Sequence, residues 1–150
     1  MAARRHLVKD WMTPDPITIC PETTLPEANR LMKECGIRRL PVVESGRLVG
    51  IITLGDIREA SPSNATSLSI YELNYLIARL TVGKIMTHDA ITITPDTSIE
   101  AAARMMLEHK IGGLPVVDGT RVVGIITESD IFRVLVQAPE EVSPEETLVI

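Results

Sequence analysis

Apolar residues along this chain change period twice, in the same order each time. Behind Thr24 and Glu27, a T-x-x-E pattern that predicts a capped helix start, Ala28, Leu31, Met32 and Cys35 fall at helical spacing. Gly36 suits the helix stop. "LPVV" (Leu40–Val43) is a short apolar run of strand type, "ESG" is tight-turn material, and "RLVGIIT" (Arg47–Thr53) completes a predicted hairpin. A second helix is expected directly after Thr53. Upstream, "ITI" (Ile17–Ile19) follows a Pro/Asp-rich turn and predicts a short strand. The unit therefore reads β-α-β-β-α.

The same reading returns 74 residues later, where Val8–Glu59 falls on Val82–Arg133 without a gap and 26 of the 52 positions are identical. "ITI" recurs at Ile91–Ile93, "LPVV" at Leu114–Val117, and "DGT" replaces "ESG". Ala102, Met105, Met106 and His109 keep the helical stripe, and Thr97 with Glu100 predicts its capping box. A duplicated unit of this size implies that neither copy buries its hydrophobic face alone. The expected division is an N-terminal arm (1–7), repeat 1 (8–60), a linker with a helix (61–81), repeat 2 (82–136) and an acidic, partly disordered tail (137–150). Within the linker, Arg58–Leu68 is Ser/Pro/Asn-rich and predicts a loop. In "SIYELNYLIARL", Ser69 and Glu72 form a capping box, and Ile70, Leu73, Ile77 and Leu80 make one stripe.

Composition narrows the function. The chain has 150 residues, a formal net charge of −5 and four aromatic residues. It lacks the basic footprint of non-specific nucleic-acid or anionic-membrane binding, and its aromatics are too few for a base-stacking platform. No apolar run is long enough to span a bilayer, and the basic start lacks the apolar core of a secretory signal. Cys20 and Cys35 form no CxxC and read as free thiols of a reducing cytoplasm. His6, His88 and His109 stand apart with no metal-ligand spacing, so no metal is expected. No nucleophile–base motif or phosphate-binding glycine loop occurs, so no catalytic residue is assigned and the chain is expected not to be an enzyme.

One polar pair does recur: Thr53 with Asp56 in "GIITLGDI", and Thr127 with Asp130 in "GIITESDI". A threonine followed three residues later by an acid at a strand–helix junction is a capping box, worth about 1 kcal/mol. The same geometry suits a ligand. A carboxylate accepts both hydrogens of a ribose cis-diol, and the free amides of a helix start suit a phosphate. The residues alone leave both readings open.

The "WMT" and "IMT" leads, the two "LPVV" runs and the two "G-h-I-T-x-x-D-I" corners, all in register, resemble a tandem pair of cystathionine-β-synthase-type (CBS) domains, a Bateman module. The resemblance covers Val8 to about Leu135. It implies an α+β fold, two β-α-β-β-α repeats packed as a pseudo-two-fold CBS pair with two clefts. It implies a regulatory role in which a cleft binds an adenosine nucleotide (AMP, ADP or ATP) or a related adenosyl ligand, with no catalytic cofactor. Homodimerisation and an unidentified protein effector are also implied, since no effector domain is evident. A ligand-free scaffold with vestigial clefts is the alternative.

Carried onto this sequence, the resemblance makes Asp56 and Asp130 ribose ligands, and Thr53 and Thr127 caps that also meet ribose or phosphate. Thr13, Ile17 and Thr18, with Thr87, Ile91 and Thr92, become the adenine and phosphate side of the clefts; the isoleucines also read as core. Asp130 is expected to work with Thr13 and Thr18, and Asp56 with Thr87 and Thr92. Arg38 and Arg39 sit where the family reaches phosphates, and their planar multi-donor heads suit that task. Repeat 2 has Gly112 and Gly113 there, so the two clefts are expected to be unequal. Arg47 and Arg121 are the fallback phosphate ligands.

Overall fold

The computed structural model describes residues 6–61 and 69–137. Most of the expected N-terminal arm, most of the Ser/Pro/Asn-rich loop and nearly all of the acidic tail lie outside the described residues. Repeat 1 contains α1 (Val8–Trp11), β1 (Thr13–Pro14), α2 (Leu25–Cys35), β2 (Arg39–Glu44), β3 (Arg47–Thr53) and α3 (Leu54–Ala60). After α4 (Ile70–Arg79), repeat 2 contains α5 (Val82–Ile85), β4 (Thr87–His88), α6 (Ile99–His109), β5 (Gly113–Asp118), β6 (Arg121–Thr127) and α7 (Glu128–Gln137). The class is α+β.

Local chemistry accounts for the helix limits. Thr24 Oγ1 accepts the Glu27 amide at 3.3 Å, and α2 ends on Gly36 in the left-handed region at φ 65°. In α6 the cap is Ser98, whose Oγ accepts the Ala101 amide at 3.0 Å. The expected Thr97–Glu100 box was placed one residue early, although the repeat register already pairs Thr24 with Ser98. Thr97 instead accepts the Thr94 amide at 3.2 Å, stabilising the turn before the helix. Leu25, Ala28 and Met32 of α2 are buried, as are Ile99, Ala102 and Met106 of α6. Each fully buried large aliphatic contributes about 1.5–3 kcal/mol. Cys35 and His109, the ends of the expected stripes, are exposed. In α4, Ser69 and Glu72 form the reciprocal box. Leu73, Ile77 and Leu80 are half-buried, while Ile70 faces outward.

Each "LPVV" strand pairs antiparallel with the "GIIT" strand after it, with Arg39 opposite Thr53 in repeat 1 and Gly113 opposite Thr127 in repeat 2. Ser45 and Gly46, at φ 51° and 77°, make the tight turn of the first hairpin. The "ITI" segments do not form strands. Ile19 bridges only Val42, and Ile93 only Val116.

The third strand of each sheet comes from elsewhere. β1 pairs with β6 and β4 with β3, so the two sheets run β1-β6-β5 and β2-β3-β4. Each repeat hands its lead segment to the other. The Val8 amide donates to Thr97 O at 2.8 Å and the Ile99 amide to His6 O at 2.9 Å. On the other side, the Val82 amide donates to Thr23 O at 2.8 Å and the Leu25 amide to Leu80 O at 3.0 Å. Val8 is therefore buried with Leu114, Val116 and Ile126, whereas Val82 and Met86 are buried with Leu40, Val42 and Ile52. Sequence repeat and packing unit are not the same thing.

The glycine of each "GIIT" makes this exchange possible. A Cβ on Gly50 would stand 2.6 Å from Met86 Sδ and 2.7 Å from the Thr87 carbonyl oxygen. A Cβ on Gly124 would collide with Met12 Sδ and stand 3.0 Å from Met12 Cγ. The Met-Thr leads and the strand glycines are thus two sides of one contact. Because the Thr87 carbonyl is backbone paired to β3, it cannot swing away. Gly50→Ala is expected to destabilise the fold by about 1–3 kcal/mol, the cost of overpacking. Urea unfolding midpoints of the wild type and variant measure this; an unchanged midpoint contradicts the close approach.

Candidate functional site

The two polar corners form at the same place in each repeat, where a sheet strand breaks into a helix. In repeat 1 the box is reciprocal. Thr53 Oγ1 accepts the Asp56 amide at 3.1 Å, and Asp56 Oδ2 accepts the Thr53 amide at 2.9 Å. In repeat 2, Asp130 Oδ2 accepts both the Thr127 amide at 2.8 Å and the Thr127 hydroxyl at 3.2 Å. Asp130 is only 4% exposed, and its Oδ1 pairs with Arg133 one helical turn on. Position 59 in repeat 1 is a glutamate, so Asp56 has no counterpart to that arginine, and among the described residues it makes no ion pair.

A cleft of about 620 Å³ opens beside the Thr127 corner. Its walls come from both repeats. Thr13, Asp15, Pro16 and Ile17 come from the exchanged lead, and Ile125, Thr127, Glu128 and Ser129 from the β6–α7 junction. Gly36, Ile37, Arg38, Arg39 and Pro41 come from the approach to β2, and Gly112 from the approach to β5. Five of the residues singled out in the sequence, Thr13, Ile17, Arg38, Arg39 and Thr127, therefore line one cavity. Ile17 is 43% exposed, so it is a wall residue more than a core residue. Thr18 is exposed and does not line this cleft. Asp130 lies behind Thr127, turned into its own hydrogen bonds. Thr53 and Asp56 stand at the end of β3, the strand on which Thr87 pairs with Ile51, while Ile91 and Thr92 are half-buried, Ile91 against the core of Ile93 and Leu114. Arg47 and Arg121 are exposed at the hairpin ends, away from the cleft lining.

Arg39 reaches from its own repeat across the other. A Cβ on Gly113 would meet Arg39 Cδ at 2.6 Å and Nε at 2.9 Å. A Cβ on Gly112 would meet Arg39 Nη2 at 2.8 Å and Glu128 Oε1 at 2.6 Å. The guanidinium and the Glu128 carboxylate thus share the space over the Gly112–Gly113 backbone. Burial lowers the Arg39 pKa from its ordinary value; Glu128 opposes that shift and Arg38 adds to it. An arginine remains charged regardless. Arg38–Arg39 and Gly112–Gly113 occupy matching positions, so the arginine of one repeat lies where a second would have to lie. The glycines are the space that Arg39 fills.

Asp15, Glu128 and Ser129 line the cleft but were not singled out from the sequence. Glu128 was detectable, because it breaks the repeat: its counterpart is Leu54. Its amide donates to Gly112 O at 3.1 Å, as that of Leu54 does to Arg38 O at 2.7 Å, which fixes its place at the mouth. Asp15 adopts φ 46° and its counterpart Asp89 φ 51°, a left-handed turn that aspartate tolerates. Among the described residues, no group of three or more His, Cys, Asp or Glu side chains could hold a metal ion. Cys20 and Cys35 are free and exposed. No helix among them is long and apolar enough to cross a membrane.

Comparison with known proteins places this architecture. The chain is 37% identical over 130 residues to protein MJ1225 of Methanocaldococcus jannaschii, covering 85% of this chain and 46% of that one. It spans less than half the length of the first curated relatives it matches. Among solved structures, the CBS domain pair of protein MJ0100, in complex with 5′-methylthioadenosine and S-adenosyl-L-methionine, superposes with a TM-score of 0.75 at 34% identity, covering 90% of this chain and 99% of that one. CBSX2 of Arabidopsis thaliana, in complex with AMP, superposes with a TM-score of 0.73 at 31% identity, covering 89% of this chain and 98% of that one. The family model of the CBS domain matches twice, at residues 8–63 and 82–137. With two such matches, exchanged leads and paired three-stranded sheets, the chain belongs to the CBS domain family and forms a tandem CBS pair.

Proposed function

We propose that this CBS pair is a regulatory module whose inter-repeat cleft binds an adenosine nucleotide or a related adenosyl ligand. One observation carries the reading: a single cavity joins two arginines, a threonine at a helix start and the exchanged lead of the opposite repeat. A space of about 620 Å³ suits a nucleoside-sized ligand. Relatives of the same architecture hold AMP, 5′-methylthioadenosine and S-adenosyl-L-methionine. In this reading Thr13 and Ile17 face the base and sugar, Arg38 and Arg39 take the phosphate, and Thr127 meets the ligand at the helix start. Asp130 turns to the ribose on binding, exchanging Arg133 for the diol. Asp56, with Thr53, Thr87, Ile91 and Thr92, forms the second, weaker half-site, which has glycines in place of the arginine pair. The output passes to a protein effector or to a second copy through a difference in ligand affinity between two arrangements.

A second copy has a place to dock. On repeat 2, Leu107, Phe132, Leu135 and Val136 are exposed, and a groove of about 440 Å³ runs between Met106, Leu107, Ile131 and Phe132. The matching positions of Leu107 and Phe132 in repeat 1 are Lys33 and Arg58. Part of the matching face there is covered by α4, which packs on α2, with Leu80 against the core that holds Leu25 and Ile57. Charge on one face and apolar side chains on the other fit a homodimer through α6 and α7. The double substitution Leu107→Glu and Phe132→Glu is expected to yield a monomer by sedimentation or light scattering. A wild type that is already monomeric at high micromolar concentration removes this assembly.

A specific observation favours a rival in which the clefts are empty and the corners are caps only. The Asp130 carboxylate is already satisfied by Thr127 and Arg133. Calorimetry against adenosine, AMP, ATP and S-adenosylmethionine separates the two. Binding is expected, with Asp130→Asn and Asp56→Asn each weakening one site by about 1.5–3 kcal/mol, the range for hydrogen bonds to a charged group. Replacing Arg38 and Arg39 by alanine is expected to weaken ATP more than adenosine. The absence of heat and of any thermal shift with every compound establishes the scaffold reading.

A further inference from the structure

We infer that Glu128 is a specificity-determining residue of the cleft: it competes with ligand phosphate for Arg39 and so limits the negative charge that the site accepts. The inference rests on the cleft being an anion site, and it deepens the adenosine reading by setting a phosphate limit.

Three observations carry it. Glu128 breaks the internal repeat, standing where repeat 1 has Leu54, so the helix and its cap do not require an acid at this position. Its backbone is tied to Gly112 O, and its Oε1 and Arg39 Nη2 both reach toward the space a Gly112 Cβ would fill, without forming an ion pair. Gly112 lacks the Cβ that would meet both charged heads within 2.8 Å, and Gly113 lacks the Cβ that would block the Arg39 side chain. The cleft also contains Asp15, so its two arginines face two acids before any ligand enters. A neutral nucleoside enters such a site without penalty. Each added phosphate must share Arg39 with Glu128 and sit near that carboxylate. Like charges at a few ångströms in a partly desolvated cleft cost far more than in water.

The juxtaposition spans the two repeats, since Arg39 belongs to repeat 1 while Glu128, Gly112 and Gly113 belong to repeat 2. An anion that binds Arg39 therefore acts across the module, whereas a nucleoside without phosphate does not.

The test compares the full chain with Glu128→Gln and with Glu128→Leu, the latter restoring the repeat 1 residue. Calorimetry uses inorganic phosphate, pyrophosphate and tripolyphosphate, then adenosine, AMP and ATP. Both variants are expected to bind tripolyphosphate about tenfold more tightly than the wild type, with a smaller gain for phosphate. Adenosine affinity is expected to stay within about twofold, while AMP gains less than ATP. In an Arg39→Met background the gain from Glu128→Gln is expected to vanish. Three results overturn the inference: tripolyphosphate binding that does not tighten in the variants, a gain of equal size for adenosine and ATP, or a gain that persists without Arg39. Tighter tripolyphosphate binding without binding of any adenosine compound retains the Glu128 limit and rejects the adenosine reading. Adenosine binding with no response to tripolyphosphate does the reverse.

Discussion

The fold depends on a mutual exchange of lead segments, and two glycines permit it. Met12 and Thr13 cross onto the Gly124 strand, and Met86 and Thr87 onto the Gly50 strand. Neither three-stranded sheet can form from one repeat, because each has only a hairpin of its own. An isolated hairpin is marginal in water, and a third strand with a covered face is needed. The exchange also carries apolar weight, since the buried Val8 and Val82 lie in the opposite core. Duplication is therefore a structural requirement for each half.

A two-fold arrangement brings equivalent residues together near its axis, and there identical side chains compete for the same space. This chain resolves the conflict by breaking its own repeat. Arg39 occupies the junction, and Gly112 with Gly113 makes room for it. Once one arginine is seated, an acid nearby becomes favourable, and Glu128 replaces the leucine of the other copy. Asp130 with Arg133 is a second departure, as Glu59 cannot play the same part for Asp56. The corner motifs remain equal in sequence while their surroundings diverge.

Much of the fold was legible in the chain because its signals were local. The α2, α4 and α6 stripes, the two hairpins, the stop at Gly36 and the Ser69–Glu72 box all depend on near neighbours. The Thr97 cap was misplaced because two adjacent hydroxyl residues both satisfy the pattern, and only the repeat register separates them. "ITI" misled for a different reason. Alternation with a β-branched residue predicts a strand, yet Ile19 and Ile93 have room for a single bridge each. The actual strand, Thr13–Pro14 or Thr87–His88, is two residues long and has no periodicity to detect. Its partner is more than a hundred residues away in one case, a separation that no local rule covers. For the candidate site, the corners and the arginine pair were visible as motif and as asymmetry. Glu128 showed only as a break in the repeat, which an acid at a helix start otherwise explains, and Asp15, matched by Asp89, carried no asymmetry.

The location of the proposed cleft follows from the same exchange that holds the fold together. A ligand seated there touches the lead of repeat 1, the helix start of repeat 2 and the arginine that crosses between them. Its binding energy is thus applied to the contact between repeats and not to either core. Cores packed like those around Leu40 and Leu114 are costly to rearrange, because a void forfeits contacts outright. The junction is built differently, from charged heads over glycine backbone, where alternatives differ by solvated polar contacts. Small ligand-dependent differences in free energy can therefore shift the relation of the two halves while leaving each half intact. On the proposed reading, sensing takes place at the seam and not in either core. That reading combines a stable pair of cores, a polar joint between them, and a proposed ligand that competes for the joint.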